Sequence, residues 1–271
     1  MRPTVFRALR DLAYQQAGIS LGEEKLALVS ARVGKRLRAL SLTDEEDYLQ
    51  FLQKDTTGTE LVAFLDVIST NFTSFFREPP HFEWLKRHLG ARLQAGARQV
   101  RVWCAASSSG EEPYTLALVL AELFEGRGID WKVLATDLST RVLGLAREGR
   151  YTHAQLKAVP REALARYFER TGAQHRGEEV FAVSEALKRQ VTFARLNLAR
   201  PPFPMRGPFD AIFCRNVMIY FDQPVRQGLT RELERLAAPG ALVVVGHAET
   251  LSGLETRLQL LSPSVYQAPG R

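Results

Sequence analysis

Arg101-Val-Trp-Cys-Ala-Ala-Ser-Ser-Ser-Gly-Glu-Glu-Pro-Tyr-Thr-Leu-Ala-Leu118 reads as a short apolar strand, a loop of small residues, and a helix opened by Glu-Glu-Pro. Small residues let a loop backbone approach a ligand closely, and a helix N-terminus presents unpaired N–H groups. Open α/β sheets hold nucleotide-like ligands in this way, beyond the carboxyl ends of their strands. Glu111 and Glu112 at the helix start make the loop a poor place for a pyrophosphate. They suit a ligand with hydroxyls or positive charge, such as an adenosine bearing a sulfonium. Val133-Leu-Ala-Thr-Asp137 then gives an apolar strand ending in an acid, able to accept both hydroxyls of a ribose. Loop and acid together point to S-adenosylmethionine rather than a dinucleotide. The Gly-x-Gly-x-x-Gly fingerprint of a Rossmann dehydrogenase is missing after the first strand.

Outward from this stretch, strand and helix patterns alternate. Val100 to Cys104 is a strand, Thr115 to Phe124 a helix, Trp131 to Thr136 a strand, and Arg141 to Arg147 a helix. Further strands are expected at Val191–Phe193, Ala211–Cys214 and Ala241–Gly246, the last introduced by the turn Pro239-Gly240. Such alternation predicts an α/β fold with a parallel sheet and right-handed crossovers. Residues 150–190 break the rhythm with a helical piece near Pro160–Phe168, then Gly172 to Gly177, then Val180-Phe-Ala-Val183. The latter part reads as a small insertion with hairpin character, at about residues 165–193.

Residues 1–70 carry no strand signal. Leu26, Val29, Val33, Leu37 and Leu40 follow helical spacing. At about 100° per residue, Lys25, Arg32 and Arg36 line up beside that stripe. Ser41-Leu-Thr-Asp-Glu-Glu supplies a capped start for a helix through Leu52, and another apolar helix runs near Glu60 to Ile68. A small all-α domain is therefore expected over residues 1–75, with the α/β domain over 76–271.

The totals fit a soluble, cytoplasmic protein. The 271 residues are 45% apolar and 24% charged, ordinary for a globular chain. No apolar run is long enough to span a bilayer, and the charged N-terminus lacks the features of a signal peptide. Cys104 and Cys214 lie in strand-like runs without metal-ligand spacing, so buried thiols and no metal are expected. The net charge of +6 is uneven, since residues 1–40 hold eight Lys/Arg against three Asp/Glu. Such a region attracts nucleic acid, an anionic membrane or an acidic protein surface, and charge alone does not choose among them.

Four further segments stand where a ligand at the strand ends would meet them. Thr70-Asn-Phe-Thr-Ser-Phe-Phe-Arg-Glu-Pro-Pro80 joins the helical part to the sheet and sets Asn71, Thr73 and Arg77 among apolar residues. Read alone, it is an interdomain linker with buried aromatics. Leu196-Asn197-Leu198 follows a strand and by itself is a turn. Phe209-Asp-Ala-Ile-Phe-Cys-Arg-Asn-Val-Met-Ile-Tyr-Phe-Asp222 is a strand running into Arg215, Asn216 and Tyr220, whose polar groups need partners at the strand end. Gly246-His-Ala-Glu249 follows the last strand, and His247 reads as a supporting residue rather than a base.

Taken together, these segments resemble the CheR-type chemotaxis receptor methyltransferases. The stretches that carry the resemblance are Asn-Phe-Thr-Ser-Phe-Phe-Arg, Trp-Cys-Ala-Ala-Ser-Ser-Ser-Gly-Glu-Glu-Pro-Tyr, Ala-Thr-Asp-Leu-Ser, Arg-Leu-Asn-Leu, and Ile-Phe-Cys-Arg-Asn-Val-Met-Ile-Tyr-Phe-Asp. They run in family order over nearly the whole chain, with Gly-His-Ala-Glu and a closing Tyr-Gln. The resemblance implies a helical N-terminal domain and a Rossmann-like methyltransferase domain carrying a small antiparallel β-subdomain. It also implies transfer of a methyl group from S-adenosylmethionine to chemoreceptor glutamates, leaving a glutamate methyl ester and S-adenosylhomocysteine.

By the same resemblance, Asn71, Thr73, Arg77, Glu111, Asp137, Asn197, Leu198, Arg215 and Asn216 are expected to hold the cofactor. Arg77 and Tyr220 are expected nearest the transferring methyl. Ser109 stands where Thr is common in the family, a change that leaves backbone contacts intact. The expected partners are the methylation helices of chemoreceptors, met by Lys25, Arg32 and Arg36 and by the β-subdomain, with the enzyme a monomer, neither bound to nucleic acid nor inserted in a membrane. Two other functions stay open on the residues alone. One is methylation of nucleic acid, although no Asn/Asp-Pro-Pro-Tyr/Phe motif is present; Pro201-Pro-Phe203 follows Arg200. The other is a scaffold that senses S-adenosylmethionine without transferring its methyl.

Overall fold

The computed structural model describes residues 1–69 and 72–270. Asn71 lies outside the described residues.

Four helices build the N-terminal part: α1 (Pro3–Ala17), α2 (Leu26–Leu40), α3 (Glu45–Lys54) and α4 (Thr59–Ile68). They close on a core of their own, in which Phe6, Leu9, Val29, Val33, Tyr48 and Phe64 are buried. Burying a Val or Phe side chain stabilises by roughly 1.5–3 kcal/mol, and this domain does so with one stripe from each helix. Asp44 is the cap within the expected start signal, accepting from Glu46 N at 2.6 Å. Ser41 instead ends α2 in the left-handed conformation, φ 56°.

The basic stripe on α2 differs from the expectation. Arg36 makes a two-pronged ion pair with buried Glu60 at 2.9 and 2.6 Å, and Tyr48 donates to the same carboxylate at 2.8 Å. Arg32 donates to the carbonyls of Val67 and Ile68 at 3.0 and 2.7 Å. A cation on the last carbonyls of α4 satisfies acceptors that the helix leaves unpaired. Two of the three stripe cations therefore hold the helical domain together rather than facing outward. Sequence spacing gives a residue's angle around its own helix but not what packs against it.

After α5 (Pro80–Gln94), the chain enters a seven-stranded sheet. Its strands are β1 (Gln99–Cys104), β2 (Asp130–Asp137), β6 (Val191–Arg195), β7 (Phe209–Cys214), β8 (Ala237–Val245), β9 (Gln259–Ser262) and β10 (Val265–Gln267). The order is β6-β2-β1-β7-β8-β10-β9, parallel from β6 through β8, with β10 antiparallel on both sides. Alternation sends Val100, Val102 and Cys104 into one core and Trp103 into the other. The same two-residue period splits Ala211 and Phe213 from Ile212 and Cys214. Between strands run α6 (Glu111–Leu123), α7 (Thr140–Glu148), α9 (Glu185–Lys188) and α10 (Gln223–Leu236). The strand order reverses between β1 and β7, where ligands bind in open α/β sheets.

The insertion is a separate antiparallel sheet in the order β3-β5-β4: β3 (Arg150–Thr152), β4 (Phe168–His175) and β5 (Glu178–Val183), with α8 (Arg161–Tyr167) beside it. It begins earlier than the expected 165, because three-residue β3 is too short to show a period. It ends before 193, because Val191–Arg195 pairs with β2 in the main sheet. The strand expected after the turn Pro239-Gly240 starts ahead of it, at Ala237, and passes through a register shift opposite Phe209 and Ala211.

Candidate active site

The cleft of about 570 Å³ at the carboxyl ends of β1, β2, β6 and β7 gathers most of the residues expected from sequence. Thr73, Arg77, Asp137, Asn197, Leu198, Arg215, Asn216 and Tyr220 all line it. Its other wall comes from the helical domain, through Leu61, Leu65 and Asp66 of α4, Ala17 at the end of α1 and Ile19 after it.

The loop between β1 and α6 is the floor. Gly110 takes φ 102°, and a Cβ there would lie 2.6 Å from Tyr151 Oη and 3.1 Å from Ala146 Cα. Only glycine lets the chain turn into α6 so close to α7 and β3. Asp137, the last residue of β2, accepts from Ser108 N at 2.8 Å and Ser139 N at 2.9 Å. Burial raises its carboxyl above the ordinary Asp range, against the pull of these backbone bonds.

Glu111 and Glu112 separate in role. Glu112 lines the cleft, whereas Glu111 is 3% exposed and is not part of the wall. Glu111 accepts from Ser109 Oγ at 2.7 Å and from Gln155 at 3.4 Å, so it supports the loop from below. Adjacent residues at a helix start point about 100° apart, which sequence alone leaves unassigned between two glutamates.

Arg215 is the hub of the opposite side. Its Nη1 donates to Glu112 at 2.5 Å, and its Nη2 donates to Glu78 at 2.9 Å and to the Arg77 carbonyl at 2.6 Å. Burial disfavours both carboxylates. For Glu78 the Arg215 contacts outweigh burial and hold it below the ordinary range, whereas buried Glu112 stays above it. Glu78 had no expected role, although a carboxylate next to the Arg77 segment and a strand ending in Arg215 are natural partners. Phe76 and Glu78 both take left-handed backbone, φ 52° and 58°, which turns the 72–78 segment across the strand ends. Arg77 itself donates to the Phe72 carbonyl at 2.7 Å. Just behind Glu78, burial first and then the Arg215 charge push the His81 imidazole down to about 4.

The two domains meet at the cleft. Asn197 donates to the Gln16 carbonyl at 2.8 Å and accepts from Ala199 N at 3.0 Å. Ser20 N donates to the Tyr220 carbonyl at 2.8 Å, and Ile19 bridges Phe221. Gly18 (φ 67°) permits this approach, since a Cβ there would sit 2.4 Å from that of Ala199. Asn197 thus clamps the interface through its side chain while its segment borders the cleft.

The site fits an adenosyl sulfonium better than a nucleotide phosphate. Asp137 and Glu112 face the cleft, and the guanidinium of Arg215 is already matched by two carboxylates. No helix among the described residues is long and apolar enough to cross a membrane.

Comparison with known proteins agrees with this geometry. Residues 4–69 match the all-alpha domain of CheR methyltransferase, and residues 71–266 its SAM binding domain. The chemotaxis protein methyltransferase of Escherichia coli (strain K12) is 44% identical over 261 residues, covering 96% of this chain and 89% of that protein. Its Salmonella typhimurium counterpart is 41% identical over 261 residues, covering 96% and 88%. That of Borreliella burgdorferi is 36% identical over 266 residues, covering 96% and 92%. With a helical domain closed over a cleft at the switch point of a doubly wound sheet, the chain belongs to the CheR methyltransferase family.

Proposed function

We propose that the protein transfers a methyl group from S-adenosylmethionine to glutamate side chains of chemoreceptors, giving the glutamate methyl ester and S-adenosylhomocysteine. The observation that carries this reading is the meeting of Asp137, Glu112, Arg77 and Tyr220 in one cleft. Bound S-adenosylmethionine supplies an electrophilic methyl group on a sulfonium. Asp137 holds the ribose hydroxyls, and Thr73, Asn197, Leu198 and Asn216 border the rest of the cofactor, with Asn71 assigned to it by sequence. Glu111 stiffens the small-residue loop from beneath. Arg215 fixes the 72–78 segment, and so the aim of Arg77, through the Arg77 carbonyl and Glu78.

Arg77 and Tyr220 orient the incoming carboxylate. A glutamate with a reference pKa of about 4.3 is already ionised at neutral pH, so the chain needs no general base. Catalysis rests on alignment and exclusion of water, where effective molarities reach roughly 10⁵ M or more. Arg77 must not hold the ground-state anion more tightly than the transition state, because charge is lost as the ester forms.

Receptor methylation helices present glutamates, and α2 offers them positive charge. Lys35 and Arg38 are exposed, with Lys25 half-buried at the start of the helix. These three, rather than the internally bonded Arg32 and Arg36, carry receptor docking. The groove of the small sheet, bordered by Lys157, Arg161, Arg170 and Glu178, is a second receptor contact.

The test is incubation with methyl-labelled S-adenosylmethionine and cytoplasmic receptor fragments, followed by alkali. Volatile label released by alkali identifies the glutamyl ester. Alkali-stable label, or calorimetry showing no binding of S-adenosylmethionine or S-adenosylhomocysteine, would sink the proposal.

A further inference from the structure

Behind the Arg215 hub, three side chains from distant parts of the chain converge. Glu78 precedes α5, His81 is in its first turn, and His247 follows β8. Each offers a ligand atom, and these lie within 4.8 Å of one another. The two imidazoles meet edge to face, with centroids 4.7 Å apart.

His81 Nε2 lies 2.8 Å from Ser264 Oγ, which also lies 2.5 Å from the Pro263 carbonyl. In the tautomer in which Nε2 donates to Ser264 and the hydroxyl donates to Pro263, Nδ1 presents its lone pair. His81 is 1% exposed, and Nδ1 has no hydrogen-bond partner. It points at Glu78 Oε2, 3.4 Å away. In that tautomer two lone-pair groups face each other, an arrangement that a cation relieves, while Oε2 also accepts from Arg215 Nη2 at 2.9 Å and from His247 N at 3.2 Å.

We infer that Glu78, His81 and His247 form a binding site for a divalent transition metal, zinc above all. Two imidazoles and a carboxylate are a borderline-soft donor set of the kind zinc, cobalt and nickel take. Zinc bonds of about 2.0–2.2 Å at tetrahedral angles set two ligand atoms about 3.4 Å apart, which matches the spacing of Nδ1 and Oε2. The bond from His81 Nε2 to Ser264 is the outer-shell contact that orients a metal-bound imidazole. Arg215 is a nearby positive charge, but Glu78 and Glu112 both pair with it, leaving room for a divalent cation. The sequence carries no metal spacing because the ligands come from both ends of the domain, and the site departs from the expectation of a metal-free protein.

The site is inhibitory. A metal on Glu78 takes that carboxylate from Arg215, loosening the contact that holds Arg77. This consequence rests on the proposed methyl transfer; binding of the metal does not.

Calorimetric titration of zinc chloride into the full chain tests it, with the visible absorption of cobalt(II) reporting tetrahedral coordination. One equivalent is expected in the native protein, and both His247→Ala and His81→Gln should weaken binding at least about ten-fold. Glutamine keeps the donor to Ser264 while removing the Nδ1 ligand, so His81→Gln separates ligation from folding. The double variant His153→Ala/His175→Ala should bind zinc as the native protein does. Absence of zinc binding, unchanged binding in His247→Ala and His81→Gln, or loss only in the His153/His175 variant would overturn the site. Zinc binding there without slower methyl transfer would retain the site and overturn its inhibitory role.

Discussion

Asp137 combines two opposing demands. Backbone N–H groups of Ser108 and Ser139 favour its carboxylate, while burial raises its pKa above the ordinary value. The ionised form is the one that accepts ribose hydroxyls. Affinity for S-adenosylmethionine is thus full above the raised pKa and falls as pH drops through it. The free protein behaves oppositely: protonation is favoured by folding, and that stability is fully present below the unfolded pKa and is lost as pH rises through the folded one. Asp137→Asn should lower affinity at neutral pH by about ten-fold or more and flatten its acid dependence, as read by calorimetry across pH. An equally steep acid loss in the variant would assign the effect to another group. Arg77→Ala and Tyr220→Phe should act on turnover instead, reducing kcat by about ten-fold or more with little change in cofactor affinity. Equal loss of both would make the two residues mere binding contacts.

Between elements, Tyr151 ties the small sheet to the cofactor loop. Tyr151 of β3 donates to the Ser109 carbonyl at 2.8 Å and meets Phe75 edge to face, with centroids 4.9 Å apart. Phe75 in turn contacts Phe168 of β4 at 5.9 Å. The subdomain, the loop and the 72–78 segment therefore share one aromatic junction. Tyr151→Phe keeps the packing and removes the hydrogen bond, a loss of about 1 kcal/mol that corresponds to roughly five-fold weaker S-adenosylmethionine binding. Unchanged affinity with a lowered Tm would show that the bond only supports folding. None of this junction is legible in sequence. The main strands announce themselves because two-residue alternation and polar residues at strand ends are local signals, as at Thr136–Asp137 and Cys214–Arg215. Tyr151 lies in a three-residue strand, and Phe75 and Phe168 are separated from it along the chain.

At the scale of the whole molecule, the cleft exists because the helical domain closes over the sheet. Its wall residues Leu61, Leu65 and Asp66 follow the ordinary spacing of an amphipathic helix, so no local pattern marks them as part of a ligand site. Sequence did expose the strand-end half of the cleft, since an acid or an Arg-Asn pair after an apolar strand calls for a partner. The basic N-terminal charge was equally legible, but its division of labour was not, because that depends on Glu60 and the end of α4 arriving from elsewhere. The division has a measurable consequence. Arg36→Glu places a like charge against buried Glu60 and should destabilise the helical domain by about 3 kcal/mol or more, visible as a lowered denaturation midpoint. Lys35→Glu with Arg38→Glu changes only exposed groups and should leave the denaturation midpoint and S-adenosylmethionine affinity unaltered. The same double reversal should raise KM for acidic receptor fragments several-fold, with the defect shrinking as salt screens the native attraction. If KM and its salt dependence match the native protein while Arg36→Glu alone impairs methylation, α2 serves to build the cleft wall and receptors dock elsewhere.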